Sequence, residues 1–138
     1  MTEQQDILSG KSSTSVIFPG DRANIVQRFL TTTRTADEFA SYFTEDASFR
    51  FANAPEVVGR KAIHESSVAF RQKLKSVTHD IKSMWEMGDV VVCEMEVTYT
   101  RHDGKTLKIP CCDIIRFDEI NLIRSLQAFL DISPLFSS

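Results

Sequence analysis

The sequence predicts an α+β fold in which a few helices cover one face of a curved antiparallel sheet. Two observations support this fold class. In the first half of the chain apolar residues recur at helical spacing, whereas from Val77 onward they alternate with polar residues, as they do in strands. Tight-turn residues then divide the second half into four strand-length segments. Such a sheet has one apolar face, and three predicted helices are available to cover it.

The first half contains three predicted helices and one strand. Asp21 is expected to cap the first helix, and Thr35 and Glu38 form a capping-box pattern that opens the second. Phe49 and Phe51 alternate with polar neighbours, which predicts a half-buried strand. The predicted segments are a helix over 21–32, a short helix that opens at residue 35 and buries Phe39, Tyr42 and Phe43, a strand over 47–53 and a helix over 60–74.

The second half is predicted to form a meander of four antiparallel strands. Gly88, Gly104 and Asp118 mark the tight turns between them. The predicted strands cover residues 77–87, 90–101, 106–118 and 121–130.

Strand alternation assigns the polar side chains of this sheet to its two faces. Asp113 and His79 are expected on the inward face, where either could serve a site or be a satisfied structural group. Glu94 and Glu96 are expected to point outward, toward solvent or a second copy. The row opposite Asp113 is also largely apolar, which leaves the reverse facing open. The expected inward neighbours are Cys111, Ile115 and Phe117 for Asp113, and Val77, Ile81 and Trp85 for His79.

Length and composition describe one ordinary globular domain. The 138 residues are 42% hydrophobic and 25% charged, with a net charge of −3, which suits a single core. We predict a polar N-terminal tail over 1–20 and one domain over 21–138. Dispersed Lys and Arg argue against nucleic-acid binding. No apolar run approaches the ~20 residues of a membrane span, and no secretory signal is visible, so a cytoplasmic location is expected.

The three cysteines, Cys93, Cys111 and Cys112, match no disulfide or metal-binding spacing and lack basic neighbours. We therefore predict ordinary buried or half-buried thiols. No three His, Asp or Glu positions have the spacing of a metal site, and the sequence contains no glycine-rich phosphate loop or nucleophile elbow. The sequence thus indicates neither a metal nor a cofactor.

Four segments of the chain resemble the NTF2-like superfamily, and within it the SnoaL-like and ketosteroid-isomerase-like proteins. They are FTEDASFRF, VVGRKAI, IPCCDIIRF and LQAFLDISPL, and the resemblance covers residues 22–136. It implies a cone, in which a strongly curved sheet and three helices enclose an apolar cavity. Members are commonly dimers and include isomerases, epoxide hydrolases, polyketide cyclases, dehydratases and non-enzymatic scaffolds. Because one fold hosts many functions, the function of this chain has to be inferred from the residues of its site.

The pattern of ketosteroid isomerase is retained here at one of its four polar positions. The resemblance places Asp113 at the Asp of the oxyanion hole, a carboxylic acid that is kept neutral in that enzyme. The family's base Asp falls on Phe51, and its two tyrosines fall on Phe29 and Ser67. Steroid isomerisation by that mechanism is not expected, because Phe51 cannot transfer a proton.

The chain retains two other catalytic patterns of the superfamily to different degrees. The epoxide-hydrolase pattern, an Arg between two Asp, is broken, since Glu94 stands at the Arg and Ala128 at the last Asp. The polyketide-cyclase pattern uses a His and an Asp, which His79 and Asp113 could supply.

These residues lead to three hypotheses of function. The first is a protein that binds a small, largely apolar ligand, with Asp113 as the main polar contact. The second is an enzyme of the isomerase, cyclase or dehydratase type in which Asp113 and His79 act as acid and base. The third is a non-catalytic module that forms a homodimer through the outer sheet face, with its cavity filled by side chains, Trp85 among them. The predicted ligand-binding wall consists of Phe29, Phe49, Phe51, Ser67, Trp85, Met95, Tyr99, Ile115, Phe117 and Ala128.

Overall fold

The computed structural model describes residues 15–16 and 20–137. Most of the predicted N-terminal tail lies outside these residues, so the division into tail and domain stays a prediction. The helices are α1 (Asp21–Thr32), α2 (Ala36–Ser41) and α3 (Arg60–Gln72), and a 3₁₀ turn covers Ser133–Phe136. The strands are β1 (Ser15–Val16), β2 (Phe43–Phe51), β3 (Val57–Val58), β4 (Leu74–Met87), β5 (Val90–Arg101), β6 (Thr106–Phe117) and β7 (Ile123–Phe129).

The strands form one curved sheet in the order β1-β4-β5-β6-β7-β2-β3. Strands β4 to β7 are the antiparallel meander that the sequence predicts. Strand β2 then pairs in parallel with β7, which places the first long strand beside the last one. The α+β prediction is therefore confirmed, with the three helices lying against the concave face of a cone. Among the described residues, no helix is long and apolar enough to cross a membrane.

The start of α1 differs from the prediction. Asp21 is its first residue and not its cap. The N-cap is Gly20, which has no side chain to accept a hydrogen bond from the first turn of the helix. The missing acceptor comes from β4, where a Glu86 carboxylate oxygen accepts a hydrogen bond from Ala23 N at 2.9 Å. A helix start that lacks its own capping side chain is thus satisfied by a residue far along the chain. By contrast, the Thr35–Glu38 capping box of α2 is present as predicted.

Two boundaries shift because the chain passes directly from helix to strand. Helix α2 ends at Ser41, and Phe43 is the first residue of β2. Phe43 is buried as predicted, but as a strand residue and not as part of the helix. Helix α3 ends at Gln72, and Leu74 already pairs with Arg101 of β5. Strands β2 and β4 therefore begin earlier than the alternation of side chains suggests.

A β-bulge in β4 reverses the facing of the residues that follow it. Ile81 pairs with Met95 and Ser83 with Glu94, so two steps along β4 match one step along β5 and Lys82 is the extra residue. An extra residue moves every later side chain to the other face. Met84, fully buried opposite Cys93, therefore occupies the inward position.

The prediction that Trp85 shares the inward face with His79 is wrong for the same reason. Trp85 is half-buried and pairs with Val92, on the outer side of the sheet.

The facing of β6 follows the predicted alternation. Cys111, Asp113, Ile115 and Phe117 are all buried, whereas Arg116 between the last two is exposed. The open question of which way Asp113 points is thereby answered in favour of the inward face. On β5, Glu94 is exposed and alternates with buried apolar residues, also as predicted.

Candidate functional site

A cavity of about 770 Å³ lies between the concave face of the sheet and helices α1 and α3. Its wall is mostly aromatic and aliphatic, and aromatic rings from four elements support it. Phe29 of α1 stacks on Phe39 with ring centroids 5.1 Å apart, and Phe51 of β2 lies 5.2 Å from Phe70 of α3. A volume of this size is in the range of small-molecule binding sites.

Most of the predicted site residues line this cavity. Asp113 and His79 are both in its wall. The other predicted positions found there are Phe29, Phe49, Phe51, Ser67, Met95, Tyr99 and Ala128.

The structure places Trp85, Ile115 and Phe117 outside the cavity wall. Trp85 is turned away by the bulge at Lys82. Ile115 and Phe117 face inward but lie in the solid core beyond the cavity, where the Arg22 guanidinium at the start of α1 covers the Phe117 ring at 5.9 Å. These three residues are therefore not part of the candidate site.

Asp113 lies in the middle of an apolar row that crosses the sheet. Its Cα partners are Cys93 on β5 and Ala128 on β7, and Ala128 in turn pairs with Phe51 on β2. The side chain is 4% exposed, and burial raises the pKa of its carboxyl to about 7 because a charge is poorly solvated there. A substantial fraction of the molecules therefore holds Asp113 as a neutral acid at pH 7, able to donate a hydrogen bond.

His79 lies elsewhere in the same wall. Burial lowers the pKa of its imidazole to about 4, a hydrogen bond to the backbone of Leu30 raises it, and the positive charge of Arg71 lowers it further. The ring is therefore neutral at pH 7, and its unprotonated nitrogen is a hydrogen-bond acceptor.

The register separates His79 from Asp113. His79 pairs with Val97 and Asp113 with Cys93, four residues apart on β5. This offset is on the order of 13 Å along the strand, in addition to the two strand spacings between β4 and β6. The two groups are thus placed to contact different parts of a bound molecule rather than each other.

The thiols and the tyrosine of the inward face stay protonated. Burial raises the pKa of Cys93, Cys111 and Tyr99, and the nearby Asp113 carboxylate raises each of them further. All three cysteines are free, two of them buried and Cys112 half-buried, which confirms the prediction of ordinary thiols. In the described part of the chain, no group of His, Cys, Asp or Glu side chains is arranged to hold a metal ion.

The mouth of the cavity contains cations that are not among the predicted site residues. Arg34, Arg71 and Lys73 line the wall where it meets solvent, together with Thr33. Arg34 follows the end of α1, and the other two belong to the end of α3. The sequence shows basic residues near two helix ends, but only the packing of the helices brings those ends to one opening.

The family comparisons agree with this geometry. The model of the SnoaL-like domain matches residues 26–125. No curated protein matches the sequence significantly.

Among solved structures, a ketosteroid-isomerase-like protein from Catenulispora acidiphila in complex with trimethylamine is 18% identical, with 77% of this chain and 81% of that chain covered and a TM-score of 0.68. A candidate SnoaL-like polyketide cyclase from Jannaschia sp. CCS1 is 13% identical, with 83% and 88% covered and a TM-score of 0.73. SalBIII, an epoxide hydrolase/cyclase-like enzyme of pyran ring formation in salinomycin, is 20% identical, with 81% and 92% covered and a TM-score of 0.70. At these identities the similarity establishes the fold.

Proposed function

This chain belongs to the family of SnoaL-like domains, and on that premise we propose that it binds a small, largely apolar molecule in its cavity, with Asp113 as the main polar contact. One observation carries the proposal. A cavity of about 770 Å³ has an apolar wall interrupted at its buried part by a single carboxyl group. Small-molecule sites commonly combine such a wall with a few polar groups that fix the orientation of the ligand.

The protonation of Asp113 indicates which ligand group it contacts. Below its pKa of about 7 the carboxyl is neutral and donates a hydrogen bond. The natural partner is a carbonyl or ether oxygen, which brings no charge into the apolar wall. A hydrogen bond of this kind contributes about 1 kcal/mol, which is several-fold in affinity.

The binding test compares naphthalene with 2-acetylnaphthalene, which adds one carbonyl group. At pH 5.5 we expect wild type to bind the ketone about five- to tenfold more tightly, measured by calorimetry. Asp113→Leu should abolish the preference. Asp113→Asn should retain the preference, since an amide still donates a hydrogen bond. In wild type the preference should fall above pH 7, where Asp113 ionises, whereas in Asp113→Asn it should not change with pH. Glu94→Gln on the outer face is the control. Equal affinities for the two compounds in wild type, or no binding of either, would refute the proposal.

A second candidate function is general acid–base catalysis of the isomerase, cyclase or dehydratase type. The observation that favours it is the Asp113 pKa of about 7, since an acid–base group works best when its pKa is near the working pH. Two structural relatives named above, the candidate cyclase and SalBIII, support small-molecule chemistry as a class. His79 contributes through a different part of the ligand, because the register holds it away from Asp113.

The catalytic candidate is tested with the same ketone. In deuterated buffer, an Asp113 carboxylate that removes a proton beside the carbonyl speeds exchange of the acetyl hydrogens, which proton NMR follows directly. Exchange at the uncatalysed rate in wild type, with the ketone bound, would leave binding as the function.

The partner is proposed to be a second copy of the chain. Phe129 on the outer side of β7 is 48% exposed, and the apolar residues Val92 and Ile114 on the same face are only partly covered. Sedimentation equilibrium of wild type and Phe129→Glu tests this, with a dimer expected for wild type alone.

The hypothesis of a non-catalytic interaction module has less support, because it predicts a cavity filled by side chains and the cavity has a volume of about 770 Å³. The cytoplasmic location stays a prediction.

A further inference from the structure

The mouth of the cavity is positively charged, in contrast to the chain as a whole. The protein carries a net charge of −3. Yet the cavity wall includes Arg34, Arg71 and Lys73, and among the described residues Asp113 is its sole carboxyl group. The cations lie on exposed or half-exposed parts of the wall, whereas Asp113 is buried.

These cations are not engaged in ion pairs. The ion pairs found in residues 20–137 involve His64, Lys82, Arg101 and Arg124. Arg71 is held instead by neutral groups: its Nε donates to Ser67 Oγ at 3.0 Å and its Nη1 to the Arg34 carbonyl at 3.5 Å. The guanidinium is thereby fixed at the wall while its charge stays uncompensated by direct contact.

Two nearby negative features reduce this charge without cancelling it. Helices α1 and α3 both end at the mouth, and each C-terminus contributes roughly half a negative charge. Burial lowers the pKa of the Arg71 guanidinium, and the nearby Glu38 carboxylate partly opposes that shift. The same carboxylate already accepts hydrogen bonds from the backbone N–H groups of Arg34 and Thr35. The mouth stays net positive after these contributions, since three cations oppose one carboxylate and two partial helix-end charges, which suits a monoanion.

We propose that the ligand is an elongated, apolar monoanion that enters with an uncharged oxygen first, so that its carboxylate stays at the mouth against Arg34, Arg71 and Lys73. This inference rests on the proposed function and names the class of molecule that it takes. The two polar ends of the cavity are well separated: His79, whose pKa is lowered by burial and by the nearby Arg71 guanidinium, pairs with Val97, four residues along β5 from the partner of Asp113. That is on the order of 13 Å, enough for a ring system between the two ends.

The test uses three compounds that share one ring system: 2-acetylnaphthalene, 6-acetyl-2-naphthoate and the methyl ester of that acid. At pH 5.5 and low salt we expect wild type to bind the acid about tenfold more tightly than the ester, since each exposed ion pair contributes modestly. The preference should shrink at 300 mM NaCl. The double variant Arg34→Gln with Lys73→Gln should lose most of it, and adding Arg71→Gln should remove it. Ester affinity should remain unchanged throughout.

Matched controls lie on the same helices but outside the cavity wall. Arg28→Gln on α1 and Lys61→Gln on α3 remove one exposed positive charge each and should leave the preference for the acid intact. Equal binding of acid and ester by wild type would overturn this inference while the proposed function stands. A preference that survives the mouth variants would also overturn it. Failure of all three compounds to bind would overturn both.

Discussion

Cys111 Sγ lies 3.4 Å from Asp113 Oδ1, so a buried thiol donates a hydrogen bond to a carboxyl group whose cross-strand neighbours are apolar. Both side chains are on the inward face of β6, two residues apart. Burial raises the pKa of Asp113 and the thiol lowers it, with burial dominating. The chemistry of the cavity depends on the balance of these two effects.

The first prediction concerns the titration of Asp113. Carbon-13 NMR of the carboxyl groups, with Asp113→Asn to assign the signal, should give a pKa of about 7. A pKa near the usual value of about 3.9 would mean a solvated carboxylate and would remove the basis of the site. Cys111→Ala should raise the pKa further, because the ionised form loses its donor. Cys112→Ala, on the other face of the strand, is the matched control.

The second prediction is an opposite dependence of stability on pH for the two titrating groups of the cavity. Asp113 has a raised pKa, so the folded state binds its proton more tightly and stability falls as pH rises from about 4 to 7. His79 has a lowered pKa, so stability falls as pH drops from about 6.5 to 4. Upper limits are about 4 and 3 kcal/mol, respectively. Between pH 4 and 6.5 the two contributions largely cancel.

Single variants should reveal each contribution, measured by urea unfolding at several pH values. Relative to wild type, Asp113→Asn should become more stable as pH rises to 7. His79→Gln should gain in relative stability as pH falls to 4. Differences from wild type that do not change with pH would show that neither group titrates with a shifted pKa.

The third prediction concerns Ala128, the cross-strand partner of Asp113 on β7. Ala128→Asp places two carboxyl groups on directly opposite positions, with Cβ atoms about 5 Å apart. One carboxyl should then stay protonated above pH 7, because two such charges cannot both ionise in a buried site. We expect a loss of about 2–4 kcal/mol at pH 8 that is smaller at pH 5. Ala128→Asn, of equal size without charge, should show no such pH dependence.

The fourth prediction tests the unusual cap of α1. Glu86→Ala should destabilise the protein by about 1 kcal/mol, since it removes the acceptor for Ala23 N. Glu86→Gln retains an oxygen and should recover part of the loss. Glu119→Ala at an exposed turn position should be neutral. If both Glu86 variants unfold like wild type, the contact contributes nothing to stability.

The sequence determined the features that depend on neighbouring residues. The change of period from helix to strand, the capping box at Thr35 and the inward facing of Asp113 all follow from local backbone geometry, in which side chains repeat with a fixed period. For this reason the element order was predictable, and most of the residues predicted for the site line the cavity. The prediction of Asp113 as an inward residue was also local, because the pairing of Cys111 to Phe117 with β5 is continuous. The irregularity beside Arg116 and Phe117 adds its extra residue to β7 and leaves the alternation of β6 intact.

Only the tertiary structure decided the rest. One extra residue at Lys82 turned Trp85 outward, Glu86 reached a helix 63 residues earlier in the chain, and two helix ends met to form the basic mouth. Each of these depends on contacts between distant segments, and a sequence pattern records the period of a segment but not what it packs against. The fold was therefore set by local periodicity, and the charge of its opening by long-range packing.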